Sequence, residues 1–293
     1  MEILRDKSVN FNGVTLILGF FDGVHLGHRN VIKSAIEFAK NNNSKTCLLT
    51  FSDSPAKYFK GNAEYIYPRE YNYKIIEKLD VDYIIEANFS ELVNLTAEEY
   101  LKNITEKYSP IAIFTGFNHT FGKSKSGTPE YLAENKEKYG YKYFCTEPVY
   151  KDGEIVSSTR IKTILKNGET EKAENLLSEP YSVENIVTKG NQIGRTIGFP
   201  TANIQYPENT VKLPYGVYKV KVFDKPAILN WGIKPTLGEN KEILEVHIPD
   251  FEEDLYGKKI KIEFIKKIRD EKKFNNLEEL KSQIEKDTAE CLK

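Results

Sequence analysis

The chain has 293 residues, of which 40% are hydrophobic and 29% charged, and this suits a globular protein of two domains. Its 42 basic and 43 acidic side chains balance, which disfavours a nucleic-acid-binding surface. No apolar run approaches the roughly 20 residues of a membrane-spanning helix, and the polar N-terminus is unlike a signal peptide. The three cysteines are sparse and widely spaced, which indicates a reducing compartment. We therefore expect a cytoplasmic protein without membrane or nucleic-acid partners.

The first half of the chain alternates strand and helix patterns. Apolar strand patterns lie at 14–18, 45–51, 81–85, 111–114 and 141–144, and helical patterns lie at 31–39, 73–79, 97–108 and 131–139. Repeated strand–helix units predict a parallel, doubly wound sheet with helices on both faces. In such a sheet the ligand crevice lies at the carboxyl ends of the strands.

A glycine-rich turn follows the first of these strands, with the sequence GFFDGVHLGH from Gly19 to His28. A strand, a turn and a helix in this order direct backbone N–H groups and a helix dipole at an anion. His25 and His28 lie three residues apart at the start of the helix, where two imidazoles can donate hydrogen bonds to phosphate oxygens. Half of the four histidines of the chain fall in this turn, so we interpret them as functional residues.

Two later segments are predicted to reach the same crevice. A loop after the fourth strand carries Asn118, whose amide offers hydrogen-bond donors. A later helix begins near Ser158 and Thr159, either of which can serve as its N-cap, and Arg160 adds positive charge to this anion site. Taken alone, a solvated turn and an ordinary helix cap explain these segments equally well.

The motif HxGH after a first strand resembles the nucleotidyltransferase superfamily, and GFFDGVHLGH resembles the bacterial FAD synthetases in particular. That family carries a GxNxxFG-type loop and an SSTxIR-type motif in the same order. The resemblance implies that His25 and His28 stabilise charge on the transferred phosphoryl group. It also implies that ATP is bound by Gly19, Phe20, Asp22, Gly23, Asn118, Ser158, Thr159 and Arg160.

Two positions depart from the family pattern. Lys162 stands where arginine is usual, which keeps the charge but loses the bidentate fork of a guanidinium. Ser54 precedes Pro55 where the family has histidine, so the contribution of that histidine to adenylyl transfer has to come from another group.

The second half changes character near residue 182, from where short alternating strands are separated by glycine and proline turns. This pattern predicts an antiparallel sheet or small barrel. A final helix is predicted after Asn276, with Glu279 completing a capping box and an inner face formed by Leu277, Leu280 and Ile284. The predicted fold is therefore α/β plus β: a Rossmann-like nucleotidyltransferase domain at 1–181 and a small antiparallel barrel with a terminal helix at 182–293.

The barrel half carries its own candidate site in the stretch from Gly194 to Asn203. Gly194 and Gly198 leave room for phosphate oxygens, and the oxygens of Thr201 and Asn203 suit Mg²⁺ and point the same way on an extended chain. On a nearby strand, Glu245 lies opposite an apolar face and is a candidate base for an alcohol. From chemistry alone, turn formation and a solvated strand face explain these residues as well.

The string GFPTAN closely resembles the riboflavin kinase signature, and an E-x-H-I segment matches the one that carries the catalytic glutamate of that family. The resemblance implies a small β-barrel in which Glu245 accepts the proton of the ribityl 5′-hydroxyl. It also implies that Thr201 and Asn203 hold Mg²⁺ and that Gly194 and Gly198 contact ATP.

The two motif sets cover nearly the whole chain, which is identified as a member of the bifunctional riboflavin kinase and FAD synthetase family. The resemblance implies that the second half phosphorylates riboflavin to FMN with Mg-ATP. The first half then transfers AMP from a second ATP to FMN and releases pyrophosphate. Two alternatives stay open, a kinase with weak or absent adenylyltransferase activity and a non-catalytic flavin- or nucleotide-binding regulator. The sequence predicts no particular oligomeric state.

Overall fold

The computed structural model describes residues 1–5, 11, 13–52, 55–190, 194, 198–236 and 239–292. The chain divides into two compact units, Met1–Ser158 and Thr159–Lys293. Within the described ranges, no helix has both the length and the apolar character that crossing a membrane requires.

The first unit is built on a parallel sheet of six strands. Its helices and strands, in chain order, are β1 (Glu2–Leu4), β2 (Val14–Leu18), α1 (Leu26–Asn41), β3 (Thr46–Phe51), α2 (Pro55–Lys60), α3 (Arg69–Glu77), β4 (Tyr83–Ala87), α4 (Phe89–Leu92), α5 (Ala97–Tyr108), β5 (Pro110–Gly116), α6 (Pro129–Tyr139), β6 (Lys142–Thr146), β7 (Tyr150–Lys151) and β8 (Glu154–Ile155). The strand order is β1-β4-β3-β2-β5-β6, and every pairing in it is parallel. The carboxyl ends of β2 and β5 therefore lie side by side near the centre of the sheet.

Strand β2 is buried on both faces, as its run of apolar residues predicts. Val14, Leu16 and Leu18 pack in one cluster with residues of α5. Ile17, on the other face of the strand, is also fully buried. The sheet is thus covered on both sides, and its central strand leads directly into the glycine-rich turn.

The second unit contains a closed antiparallel barrel. Helix α7 (Ser158–Lys166) begins at the boundary of the units, and the later elements are α8 (Thr170–Leu177), β9 (Ser182–Thr188), β10 (Ala202–Ile204), β11 (Gly216–Val222), β12 (Lys225–Thr236), β13 (Glu239–His247), β14 (Lys259–Arg269) and α9 (Leu277–Cys291). The barrel closes in the order β10-β13-β12-β11-β14-β9. The fold class predicted from the sequence, a parallel α/β sheet followed by a small barrel with a terminal helix, is confirmed.

The barrel strands carry fully buried side chains on one face and the terminal helix on the other. Leu229 and Trp231 of β12 are both 0% exposed, and Trp231 Nε1 donates a 2.8 Å hydrogen bond to Leu213 O. On the opposite face, Val217 and Ile228 pack against Cys291 of α9. Helix α9 therefore lies against the outer wall of the barrel and leaves the interior to apolar side chains.

Two helices precede the first barrel strand and belong to the barrel unit. Thr170, at the start of α8, donates a hydrogen bond of 2.9 Å from its hydroxyl to Ile265 O of β14. The compact units consequently divide between Ser158 and Thr159, whereas the change of sequence pattern near residue 182 coincides with the start of β9.

Candidate active sites

The turn between β2 and α1 holds an unusual backbone. Phe21, Gly23 and Val24 have φ angles of 55°, 80° and 40°. The left-handed region suits glycine, but it strains a β-branched residue such as Val24. Strain of this kind persists where surrounding contacts hold it, and it concentrates at functional sites.

Asp22 joins the turn to two distant parts of the first unit. Its carboxylate Oδ1 accepts a hydrogen bond from Ile66 N at 2.8 Å, and its carbonyl accepts one from Ser158 Oγ at 2.9 Å. The side chain is only 4% exposed. These bonds give Asp22 and Ser158 a structural role in the turn, while contact of either residue with ATP stays a prediction.

Two further side chains hold the strained peptide groups. Asn72 of α3 accepts a 2.9 Å hydrogen bond from Gly23 N through Oδ1, and Arg29 Nε donates to Val24 O at 3.0 Å. A Cβ at position 23 would lie 2.6 Å from Ile66 Cδ1, so the turn requires glycine there. The Gly23 N–H group already donates to Asn72, so it does not donate to a ligand. Gly23 instead allows a ligand to come close to the backbone, because it has no side chain.

His25 and His28 form a stacked pair at the start of α1. Their ring centroids are 3.7 Å apart with planes inclined by 17°, and His25, the N-cap, accepts a 3.4 Å hydrogen bond from His28 N through Nδ1. A Cβ at Gly27 would lie 3.2 Å from the His25 ring, so glycine leaves room for the stack. Because Nδ1 accepts, the neutral His25 ring carries its proton on Nε2, and that N–H group can donate to a phosphate oxygen.

Burial keeps both imidazoles neutral. Desolvation lowers the pKa of His25 from 6.5 to about 4, and desolvation together with the neighbouring His25 lowers the pKa of His28 well below 6.5. The Nδ1 atom of His28 is buried and has no hydrogen-bond partner among the described residues. The pair is thus arranged to receive a negatively charged ligand, whose charge would favour protonation.

The remaining predicted contacts of the first half occupy two strand ends and the start of α7. A Cβ at Gly19 would lie 2.7 Å from Phe21 Cζ, and Phe20 O accepts a hydrogen bond from Thr50 Oγ1. Asn118 is exposed just beyond β5, the strand beside β2. The structure therefore gathers the turn and Ser158 around the end of β2, with Asn118 following the neighbouring strand.

Four further positions singled out in the sequence lie in α7 or outside the described residues. Thr159 and Arg160 follow Ser158 in the first turn of α7 and belong to the second compact unit. Lys162 lies in the same helix. The helix begins at Ser158 itself, whose hydroxyl donates to Asp22 O. Ser54 lies outside the described residues.

The sequence analysis missed His119, which directly follows Asn118. Its Nε2 atom is buried without a hydrogen-bond partner among the described residues, and burial lowers its pKa to about 4. Its ring stacks on Phe121 with centroids 5.8 Å apart. The available signal was the position of a third histidine in a glycine-containing loop at the carboxyl edge of the sheet.

In the barrel, a row of polar side chains crosses three neighbouring strands. Asn203 of β10 is in register with Glu245 of β13, and Glu245 is in register with Asn230 of β12. The neighbours Leu229 and Trp231 are fully buried, so Asn230 and Glu245 lie on the outer face that α9 covers.

Two cavities lie along these strands, and the first is lined by Asn230 and Glu245 of the polar row. The first, which we call the helix-side cavity because α9 forms part of its wall, measures about 310 Å³. Its walls are mainly apolar and include Phe199, Val217, Ile228, Phe274, Leu280 and Ile284. Gly194, Asn230, Glu245 and Arg269 are among the polar or backbone groups that line it. The second, which we call the loop-side cavity, measures about 520 Å³ and is bordered by the segment after β13. Its lining includes Val187, Ile248, Phe251, Leu255 and Tyr256 and the carboxylates of Glu252, Glu253 and Asp254. Thr201 lines both cavities, so it marks the place where their contents can meet.

Asn203 has a buried amide oxygen that is available to a ligand. It is 2% exposed, and its Oδ1 atom has no hydrogen-bond partner among the described residues. A Cβ at Gly190 would lie 2.4 Å from Asn203 Nδ2, so glycine leaves room for the amide. An unpartnered amide oxygen, two residues along the chain from the Thr201 hydroxyl, fits a hard divalent cation, which prefers oxygen ligands. The described residues contain no cluster of three His, Cys, Asp or Glu side chains suited to a metal ion.

The glycine-rich stretch before Thr201 is held at its ends. Gly194 O accepts a 2.8 Å hydrogen bond from Phe199 N, and Pro200 O lies 2.9 Å from His247 Nδ1. Gly198 has a φ of 88°, which a larger residue would adopt only with strain. Residues 195–197, part of the predicted glycine-rich site, lie outside the described residues.

Comparison with known proteins gives each half of the chain a family match. The family model described as FAD synthetase matches residues 7–160, and the one described as riboflavin kinase matches residues 177–293. A bifunctional riboflavin kinase/FMN adenylyltransferase of Bacillus subtilis (strain 168) is 35% identical, over 95% of this chain and 91% of that protein. One of the same name from Haemophilus influenzae is 36% identical, over 97% of this chain and 95% of its own length.

A solved structure shares the fold over almost the whole chain. It is a crystal structure described as a macrolide-efflux protein from Streptococcus pneumoniae, with a TM-score of 0.87 and 27% sequence identity, covering 99% of this chain and 97% of its own. The two family matches follow one another in the order of the two sites described above. The chain therefore belongs to the family of bifunctional riboflavin kinases/FMN adenylyltransferases.

Proposed function

We propose that riboflavin is phosphorylated where Thr201 separates the two barrel cavities, and that FMN is adenylylated at the turn that carries His25 and His28. The chain has both activities, riboflavin kinase and FMN adenylyltransferase, and so converts riboflavin to FMN and FMN to FAD. Its substrates are the small molecules riboflavin, FMN and ATP. The observation that carries the kinase assignment is the position of Thr201 in both cavities, with Glu245 in one of them.

Riboflavin fits the helix-side cavity by its chemistry. Apolar and aromatic walls suit a flat tricyclic ring, and a few polar groups are enough to orient a ligand in such a cavity. The ribityl chain carries hydroxyls that match Asn230 and Glu245 on the polar row. In this orientation the terminal hydroxyl lies at the Glu245 end, near Thr201.

ATP fits the loop-side cavity. Its aliphatic and aromatic walls suit the adenine ring, and its carboxylates can accept hydrogen bonds from the ribose hydroxyls or the adenine amine. The triphosphate then extends toward Thr201 and Asn203 and away from the carboxylates. Gly194 and Gly198 contribute backbone to the phosphate end of this proposed site.

Glu245 acts as the base in the proposed kinase step. Its carboxylate accepts the proton of the 5′-hydroxyl while that oxygen forms a bond to the γ-phosphorus, and the bond to the β-phosphate oxygen breaks to release ADP. ATP-dependent kinases of this kind act with a divalent metal ion, which we propose to be Mg²⁺. Thr201 and Asn203 would hold it, and when bound it neutralises charge on the phosphates.

In the adenylyltransferase step, a phosphate oxygen of FMN attacks the α-phosphorus of ATP, and pyrophosphate leaves. The Nε2–H group of His25 and the adjacent His28 donate to the oxygens on which negative charge develops. No covalent enzyme intermediate is needed. The remaining predicted ATP contacts are Gly19, Phe20, Asp22, Gly23, Asn118, Ser158, Thr159 and Arg160.

We also propose that the functional boundary between the two activities lies at residues 181 and 182, beside the start of the riboflavin kinase match at 177. Helices α7 and α8 would then belong to the adenylyltransferase in function. The three cysteines are free thiols, which supports a cytoplasmic location. We propose no nucleic-acid or membrane partner.

A time course of the purified chain with riboflavin, ATP and Mg²⁺ tests the function. Resolving riboflavin, FMN and FAD should show FMN rising first and FAD following. Accumulation of FMN without FAD would contradict the adenylyltransferase assignment and leave a kinase alone. Unchanged riboflavin would contradict the kinase assignment. Unchanged FMN, supplied directly with ATP, would contradict the adenylyltransferase assignment, and both results together would favour a binding protein.

A further inference from the structure

The hairpin turn between β11 and β12 contains an unexpected aromatic residue. Val222 pairs with Lys225, so Phe223 and Asp224 form a two-residue turn, and their φ angles are 51° and 60°. Two consecutive positive φ angles define a type I′ turn, which strongly favours Asn, Asp or Gly. Phenylalanine suits the first position poorly, so the turn itself does not explain its presence.

The ring of Phe223 makes a contact outside the turn. It is 49% exposed and lies parallel to the ring of Phe251, with centroids 5.7 Å apart and planes inclined by 15°. Lys225 Nζ lies 5.4 Å from the centroid of the same Phe251 ring. We call Phe223 and Phe251, with this lysine, the aromatic stack.

Phe251 belongs to the segment that borders the loop-side cavity. The far end of that segment is tied to the barrel, because Gly257 N donates to Val187 O at 3.0 Å and Lys258 N donates to Leu255 O at 3.0 Å. No backbone hydrogen bond between described residues holds 251–253. Glu253 forms an ion pair with Lys258 at 3.6 Å, and the aromatic stack supplies the contact at the Phe251 end of this cavity wall.

We propose that Phe223 is a positioning residue for ATP in the riboflavin kinase reaction, acting through Phe251. The stack holds the 250–256 segment against the loop-side cavity, so the cavity is shaped before the nucleotide arrives. Without the stack, this wall becomes ordered only when ATP binds, and the free-energy cost of that ordering lowers the affinity for ATP. The proposal rests on the proposed function in one respect, that the loop-side cavity holds ATP.

Because a type I′ turn favours asparagine, a substitution at position 223 can remove the aromatic ring without destabilising the hairpin. Phe223→Asn places a favoured residue in the turn and removes the ring, so the hairpin should keep or gain stability. We expect KM for ATP in riboflavin phosphorylation to rise about 2- to 12-fold, the ratio that corresponds to one aromatic pair, with kcat within about twofold. The melting temperature should not fall, and adenylylation of FMN by the same preparation should not change.

Two matched variants complete the test. Phe223→Tyr keeps an aromatic ring in the stack and should restore the KM of the unsubstituted chain. Asp224→Asn changes the neighbouring turn position without touching the stack and should leave KM unchanged. Hydrogen exchange of the full chain should show faster exchange at 256–258, whose amides are hydrogen-bonded, for Phe223→Asn alone.

Three results would overturn the proposal: an unchanged KM for ATP in Phe223→Asn, a fall in stability that lowers both activities together, or a failure of Phe223→Tyr to restore KM. The assignment of the cavity is tested separately, with a non-hydrolysable ATP analogue and Mg²⁺ added to the unsubstituted chain. Absence of protection in 250–256 would contradict that assignment. Protection there, combined with an unchanged KM in Phe223→Asn, would contradict only the role of Phe223.

Discussion

The hydrogen bond from the His28 amide to His25 Nδ1 fixes which nitrogen of His25 carries its proton. An acceptor at Nδ1 leaves the donor at Nε2, and a pKa of about 4 keeps the ring neutral near pH 7. An approaching triphosphate therefore meets an N–H donor in a partly desolvated site. The donor gains strength as negative charge develops, which is when adenylyl transfer needs it.

Replacing His28 tests the role of this pair. His28→Ala should lower kcat for FMN adenylylation by about 10²- to 10³-fold, because it removes one donor to the developing charge. Phosphorylation of riboflavin should continue at its usual rate, since His28 lies in the other compact unit. Chromatography of FMN and FAD in one reaction measures both steps. A parallel loss of both activities would contradict the assignment.

Glu245 supports the complementary prediction. Glu245→Gln keeps the shape of the side chain and removes its capacity to accept a proton, so riboflavin phosphorylation should fall by about 10²- to 10⁴-fold. FAD synthesis from supplied FMN should be unaffected. Glu263→Gln, on another strand of the same barrel, serves as the matched control. A kinase that retains activity in Glu245→Gln would require a different base.

At the scale of elements, periodicity and capping predicted several boundaries well. Helix α5 spans Ala97–Tyr108 as predicted, and Thr96 and Glu99 form the expected capping box. Strand β1 was missed because three half-exposed residues acquire their structure from pairing with β4 at the edge of the sheet. A helix such as α5 can be predicted from its own periodicity and caps. A short edge strand such as β1 cannot, because its structure depends on pairing with another strand.

The terminal helix shows a second limit of pattern. Leu277 was predicted to face inward, but it is 56% exposed, whereas Asp287 is 3% exposed. Asp287 is buried because it forms a tertiary ion pair, in which Arg269 Nη2 donates to Asp287 Oδ2 at 2.7 Å. This pair places one charged side chain of α9 against the barrel, and an apolar pattern cannot anticipate it.

The same ion pair leads to a prediction about the helix-side cavity. Asp287→Ala should lower the free energy of unfolding by about 2 to 3 kcal/mol, less than for a fully buried pair because the Arg269 side chain is 23% exposed. It should also raise KM for riboflavin, since α9 supplies Leu280 and Ile284 to the cavity wall. Glu285→Ala, on the exposed face of α9, is the control. An unchanged KM for riboflavin would contradict the role of α9 as a wall.

The sequence predicted the residue types of both candidate sites, but the arrangement needed the fold. Thr201 and Asn203 were identified from their string, whereas the two cavities that meet at Thr201 are formed by segments distant in the chain. The neutral state of His25 also depends on burial by the whole unit. The spacing of residues in the sequence indicates which side chains can react. Tertiary packing determines the protonation state and the neighbours of those side chains.

At the scale of the whole molecule, acid should act on the two units differently. Burial lowers the pKa of His25 and of His119 from 6.5 to about 4, and that of His28 well below 6.5. All three belong to the first unit. Each is neutral when folded and takes up a proton when unfolded, so the stability it contributes is present above pH 6.5 and is lost as pH falls toward 4.

His119→Phe tests this linkage without removing the contact with Phe121. The variant should reduce the loss of stability of the first unit between pH 7.5 and pH 5 by about 2 kcal/mol. Hydrogen-exchange protection of α1 in the full chain provides the measurement. Equal pH dependence in the variant and the unsubstituted chain would contradict the assigned titration.

The buried indole of Trp231 gives the molecule a natural optical label. It is the one tryptophan in the sequence, it is 0% exposed in the barrel, and its ring N–H group is bound to Leu213 O. Intrinsic fluorescence excited at the red edge of protein absorption therefore reports on one compact unit and is silent about the other. Unfolding of the kinase half can be followed by emission alone, in the intact chain and without an attached dye.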